Sequence, residues 1–178
     1  MEKTNNKKVW VIIVAIVAVL AIALGVTAYL NMGNLKEKKT LQENAIIVIK
    51  SGDKKLAEAN MDYITGLGEK EFKANLKKSG KPPVEHNYTG VPMKNLFAGL
   101  KIDTTNVTTV VLKAIDGYTS ALTLSEVMED DNVYIVYKMD GKSLGNAENG
   151  GDGPYQALIR KDPYSQRWCK LLTEIELK

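Results

Sequence analysis

The sequence holds a single cysteine, Cys169, and a single histidine, His86. One cysteine closes no internal disulfide, so the apolar core alone must hold the fold. Trp168 and Leu171 lie beside Cys169, and that setting predicts a buried side chain rather than a reactive or intermolecular thiol. The apolar N-terminal run has no cysteine near it, which excludes a lipoprotein anchor. One histidine and one distant cysteine make no zinc site, and His86 reads as an exposed loop residue. No serine sits in a nucleophile elbow, which leaves a Ser-His-Asp hydrolase without its centre. Internal repeats are also lacking. The net charge is +3, and the short tail that carries Glu2, Lys3, Lys7 and Lys8 supplies most of it. The rest of the chain is close to neutral. It lacks the concentrated basic surface that nucleic-acid binding demands.

What the chain does have is an uncharged, proline-free run over residues 9–30. At 1.5 Å per residue this makes a helix about 33 Å long, enough to cross a hydrocarbon core of about 30 Å. It shows no polar face, unlike a core helix of a soluble protein. Lys3, Lys7 and Lys8 before the run favour a cytoplasmic N-terminus and an extracytoplasmic C-terminal domain. A cleaved signal peptide is the competing expectation, with Val26-Thr27-Ala28 as a passable cleavage site. The run exceeds the usual signal length of about 7–15 residues, so a retained signal-anchor is preferred. The expected organisation is a cytoplasmic tail over 1–8, a transmembrane segment over 9–30, a polar linker over 31–44 and a folded domain over 45–178.

Within the domain, residues 45–50 form the first expected strand, closed by the turn residues Ser51-Gly52-Asp53. Residues 60–72 read as weakly helical, broken by Gly66 and Gly68. Residues 73–87 read as a polar extended excursion. Residues 91–100 read as a short helix with Pro92 in its first turn. Strands are expected over 107–115 and 118–124 around the Asp116-Gly117 turn. A helical turn capped by Ser125 follows, then a strand over 133–138 and the Asp140-Gly141 turn. A flexible glycine-rich loop over 145–153 and strands over 155–160 and 171–177 complete a sheet-dominated α+β domain.

Three clusters invite a functional reading. Gly150-Gly151-Asp152-Gly153-Pro154 lacks the strand–helix context and the Lys-Ser/Thr ending of a phosphate loop. Glu126, Glu129, Asp130 and Asp131 lack the ligand spacing of a calcium loop and read as a solvated acidic face. Arg167 and Lys170 flank Trp168. They converge on an anion only if a turn lies close by, and Pro163-Tyr164-Ser165-Gln166 signals one; otherwise they are ordinary surface cations. Asn87-Tyr88-Thr89 and Asn106-Val107-Thr108 are glycosylation sequons, which matter only in a eukaryotic host.

An ordered series of short motifs runs through the C-terminal half. It comprises Tyr88-Thr89-Gly90-Val91-Pro92-Met93-Lys94-Asn95-Leu96, then Asp116-Gly117-Tyr118, then Met139-Asp140-Gly141-Lys142-Ser143-Leu144 behind a strand. Gly153-Pro154 follows, then Arg167-Trp168-Cys169-Lys170 and a closing Ile175-Glu176-Leu177. The series resembles the molybdopterin-binding domain of the sulfite oxidase family, over roughly residues 45–178 and most strongly after Tyr88. The resemblance implies a sulfite oxidase-like fold, a molybdopterin cofactor and two-electron oxygen-atom chemistry. It places Tyr118 at the family's active-site tyrosine, and Arg167 and Lys170 at a basic pair near the pterin phosphate.

Several positions depart from that pattern. The family's metal-ligating cysteine precedes the Gly-Val-Pro segment, and residues 73–87 contain none. Cys169 stands where the family usually has an aliphatic residue, and Gln156 where an arginine is common. The stretch before Tyr88 is too short for the family's cofactor-cradling insertion. A soft thiolate is the protein's direct bond to the metal in this family, so its loss weighs against metal chemistry. The expected function is thus a membrane-anchored ligand-binding or accessory module with a cleft lined by Tyr118, Arg167 and Lys170. Its ligand would be a small anion, another cofactor or a partner protein. The alternatives are an active molybdopterin-dependent oxidoreductase that works without the cysteine, and a purely structural surface domain.

Overall fold

The computed structural model describes residues 3–77 and 80–178, with side chains over 8–29 and from Lys39 onward. Helix α1 spans Lys3–Glu43. Its stretch Lys8–Tyr29 is long and apolar enough to cross a membrane. There the backbone closes its own hydrogen bonds, as a lipid environment requires. The Thr27 hydroxyl donates back to the carbonyls of Ala23 (3.0 Å) and Leu24 (2.9 Å), so even this polar group is satisfied within the helix. Of residues 31–44, expected as a linker from their polarity, all up to Glu43 continue as helix. Leu, Lys, Glu and Gln are strong helix formers, and propensity here decides what an apolar stripe does not.

The chain divides into two units, Met1–Glu37 and Lys38–Lys178. The second unit contains two five-stranded sheets. Its elements in chain order are β1 (Ile47–Ser51), β2 (Lys54–Ala59), α2 (Met61–Thr65), β3 (Lys70–Leu76), β4 (Val84–Pro92) and α3 (Met93–Gly99). These are followed by β5 (Thr109–Ala114), β6 (Thr119–Thr123), α4 (Leu124–Met128), β7 (Val133–Met139), β8 (Lys142–Ser143), β9 (Gln156–Ile159) and β10 (Leu172–Leu177). One sheet has the order β2-β1-β10-β5-β6, and the other has β3-β4-β7 with both β8 and β9 on β7. The expected sheet-dominated α+β domain is what the chain builds.

The first and last strands of the domain lie side by side. β1 and β10 pair in parallel, with Val48 opposite Glu174 and Ile49 opposite Ile175. Every other strand pairing is antiparallel. Alternation sends Val110, Leu112 and Ala114 of β5 inward, with Ser120 and Leu122 of β6. A single core joins these to Ile47, Ile49, Ile175 and Leu177 of the same sheet, and to Tyr88, Tyr134, Val136 and Leu158 of the other. Helices α3 and α4 pack on β7, which accounts for its unbroken run of five buried residues. Beside the inward-facing side chains of β10, Glu174 accepts from Lys50 and Lys113, each at 2.7 Å, and Glu176 pairs with Lys113 at 3.0 Å.

Three segments differ from the expectation. Residues 60–72 are helical only to Thr65, and β3 begins at Lys70. Asn60 caps α2 by accepting from the Tyr63 N–H. Residues 73–87 are not an irregular excursion: β3 and β4 pair without a break from Lys70↔Gly90 to Leu76↔Val84. The charged residues that hide this hairpin face outward and pair across it, as Lys73 does with Glu85 (2.8 Å), while Phe72, Leu76 and Tyr88 point in. In the third, Val91 and Pro92 belong to β4, and Pro92 precedes α3 as its cap. Gly90 is required in β4, because a Cβ there would lie 2.3 Å from the Ile135 carbonyl oxygen. Helix α4 is capped by Thr123 rather than Ser125. Thr123 and Glu126 form a reciprocal capping box that satisfies two otherwise orphaned N–H groups.

Candidate functional site

Tyr118 follows the tight turn between β5 and β6. Gly117 adopts φ +90°, which only glycine takes without strain, and Asp116 Oδ1 accepts the Tyr118 N–H at 3.0 Å. The Ala114 N–H donates to the Tyr118 carbonyl (2.9 Å) and closes the turn. The ring then reaches across to a 3-10 turn at Ser165–Arg167, where its hydroxyl donates to the Gln166 carbonyl at 2.6 Å. This is the turn that the Pro163-to-Gln166 segment predicts.

Trp168 follows that turn and is 6% exposed. Its Nε1 donates to the Ile159 carbonyl (3.1 Å), and its ring meets Tyr88 edge-on at 5.7 Å. Cys169 exchanges both backbone hydrogen bonds with Ala157, at 2.8 and 3.0 Å, which stitches the segment to β9. Lys170 then points away from the core and pairs with Asp152 at 2.9 Å. Leu171 N–H donates to the Asp152 carbonyl at 2.8 Å. The glycine-rich loop read as flexible is therefore tied down at Asp152, twice over. A Cβ at Gly151 would fall 2.3 Å from the Leu144 carbonyl oxygen, so the loop also packs tightly on itself.

Asp116, Tyr118, Gln166, Trp168 and Lys170 line one hollow of about 240 Å³. The structure thus brings together Tyr118 and Lys170 of the three residues singled out in the sequence. Arg167 is not among the lining residues. Its Nε donates to Asp162 Oδ2 (2.8 Å) and its Nη2 to Glu126 Oε1 (2.8 Å), with a further bond to Asp162 Oδ1. Hydrogen bonds to Asp162, then Glu126, push the guanidinium's pKa up, and Arg167 holds the Glu126 carboxyl below its ordinary range. The acidic cluster expected as a solvated face is paired at every member: Glu126 with Arg167, Glu129 with Lys161, Asp130 with Lys94 and Asp131 with Arg160. Asp116 and Gln166 line the hollow without any spacing signal in the sequence beyond the turns that hold them. His86, expected on an exposed loop, lies in β4 and hydrogen-bonds Asp140 Oδ2 at 2.7 Å.

Cys169 is fully buried, as the sequence predicts. Burial, and then the charge of Asp116, push its thiol up to about 12, so it stays a thiol at neutral pH. Burial first, and then the nearby Cys169, raise the Tyr118 phenol; a nearby Ser120 hydroxyl opposes them. Cys169 is not among the residues that line the hollow, so its sulfur is not presented there. Among the described residues no group of three or more His, Cys, Asp and Glu side chains converges to hold an ion. The donor set does not fit a molybdenum centre of the thiolate-ligated kind.

The comparisons with known proteins agree with this architecture. The model of the oxidoreductase molybdopterin-binding domain matches residues 29–178. No curated protein matches the sequence. The crystal structure of the sulfane dehydrogenase SoxCD from Paracoccus pantotrophus superimposes with a TM-score of 0.60 at 14% identity. That similarity covers 77% of this chain and only 38% of the other, so this chain spans well under half the length of its structural relative. The expected sulfite oxidase-like fold is thus present, and the chain belongs to the oxidoreductase molybdopterin-binding domain family.

Proposed function

We propose that this protein is a membrane-anchored, extracytoplasmic ligand-binding or accessory module that uses the family's fold without ligating molybdenum. Residues 1–8 form the cytoplasmic tail, 9–30 the anchor, 31–44 the connection and 45–178 the binding domain. Trp10 and Tyr29 bracket the apolar stretch, where amphipathic rings suit the two membrane interfaces. Lys3, Lys7 and Lys8 hold the N-terminus on the cytoplasmic side.

The observation that carries the reading is the state of Cys169. The chain's one sulfur donor of thiolate type is fully buried and does not line the hollow. In the β3–β4 hairpin, where the family's ligand would fall, the sequence has no cysteine at all. The hollow between Tyr118 and Lys170 supplies the ligand cleft in its place. Arg167 serves as a positioning residue, fastening the Ser165–Arg167 turn to α4 through Glu126.

Family membership favours a second reading, that of a molybdopterin-dependent oxidoreductase working without a cysteine ligand. Elemental analysis of the full-length protein, purified in detergent from its own host, separates the two. The accessory reading expects molybdenum far below one atom per chain, and a stoichiometric content would overturn it. Native mass spectrometry of the same preparation reports any retained organic ligand by its mass.

A further inference from the structure

The hollow beside Tyr118 carries charge of both signs. Asp116 and Lys170 line it together with the rings of Tyr118 and Trp168. Its volume of about 240 Å³ lies below the range of drug-sized sites, roughly 300–1,000 Å³, and sets the scale of a small metabolite.

Charge decides which ligand. A dianion would face the Asp116 carboxylate and a single lysine already shared with Asp152 at 2.9 Å. The second cation that a dianion needs, Arg167, is held by Asp162 and Glu126. A simple cation would meet Lys170, and a neutral molecule would shield both charges from water without replacing their hydration. Only a ligand with separated opposite charges satisfies both, and an alkylammonium end gains from the aromatic face of Tyr118 as well. Resting on the reading of this hollow as the ligand site, we propose that it binds a small zwitterion, cationic end toward Asp116 and Tyr118 and carboxylate toward Lys170.

The test is isothermal titration of the full-length protein in detergent micelles and sulfate-free buffer. The probes are glycine betaine, choline and inorganic sulfate. Betaine is expected to bind at least tenfold more tightly than either choline or sulfate. Asp116→Asn keeps the side-chain oxygen that caps the turn, and is expected to weaken betaine at least tenfold; Lys170→Gln is expected to do the same. Unchanged thermal unfolding of both variants shows that loss of binding is not loss of fold. Sulfate binding tightest, and gaining from Asp116→Asn, would overturn the zwitterion while leaving a ligand cleft in place. No binding of any of the three would also overturn it. Stoichiometric molybdenum in the untreated protein would instead remove the reading on which it rests.

Discussion

Two buried tyrosines should respond to loss of their hydroxyls with opposite signs. Tyr88 and Tyr155 are each 0% exposed and belong to the same core. The Tyr155 hydroxyl donates to the Ala45 carbonyl at 2.9 Å, whereas the Tyr88 hydroxyl has no partner among the described residues. Burial pushes both phenols well above their ordinary value, so both stay protonated at any working pH. Tyr155→Phe removes a made hydrogen bond and orphans a carbonyl, at a cost of about 1–2 kcal/mol. Tyr88→Phe removes a polar group that is buried without compensation, a burden of about 1–3 kcal/mol, less the contacts of one oxygen atom; the expected net gain is about 1 kcal/mol. For a domain of this size each kcal/mol moves the midpoint by roughly 3–4 °C. The measurement is thermal and urea unfolding of the full chain in detergent, followed by near-ultraviolet circular dichroism. If Tyr88→Phe lost stability to the same extent as Tyr155→Phe, the assignment of an unpartnered hydroxyl behind Trp168 would be wrong.

Three other outcomes are expected. Cys169 should resist iodoacetamide in the native protein at pH 8 and react only on unfolding, because the thiol is buried and raised to about 12; rapid native labelling, read by mass spectrometry, would contradict this. Stability should fall in acid. Lys113 and Lys50 hold Glu174 below its ordinary 4.5 despite its burial, and Lys113 lowers Glu176, so their contribution is complete above about 4.5 and is lost as pH drops through the lower folded values. An unfolding midpoint unchanged between pH 6 and pH 3.5 would refute that account. Arg167→Gln should destabilise the domain by about 1 kcal/mol, a small figure because the guanidinium is 40% exposed and solvent screens it. Because Arg167 acts through the turn that carries Gln166, the same variant should weaken ligand affinity at the Tyr118 hollow by less than the tenfold expected of Lys170→Gln, and an equal or larger loss by titration would return Arg167 to the cleft.

Much of the sheet was legible because alternation and turn chemistry agree. Strands β5 and β6 carry β-branched residues on either side of Asp116-Gly117, β7 carries β-branched and aromatic residues before Asp140-Gly141, and they form where those signals place them. The β3–β4 hairpin was hidden because its outward residues are charged and its connection holds Pro82 and Pro83, so composition imitates a loop. Only the tertiary pairing reveals that Phe72, Leu76 and Tyr88 share an inward face. The site divides in the same manner. Tyr118 is announced by its turn, and Lys170 by its place beside Trp168. The engagement of Arg167 by Asp162, five residues upstream, and by Glu126, 41 upstream, is a consequence of folding that no local spacing encodes.

The place of β10 has a bearing on how the protein is made. Its six residues lie in the interior of a sheet, flanked by the first strand of the domain on one side and by β5 on the other. Until Leu172–Leu177 is available, β1 has no partner but its own hairpin mate, and the β5–β6 ribbon has nothing to join. Isolated two-stranded ribbons are marginal at best in water. Without Leu172–Leu177 the other strands of this sheet are therefore left as two separate ribbons. Trimming even those few C-terminal residues should abolish the folded state outright rather than fray one end.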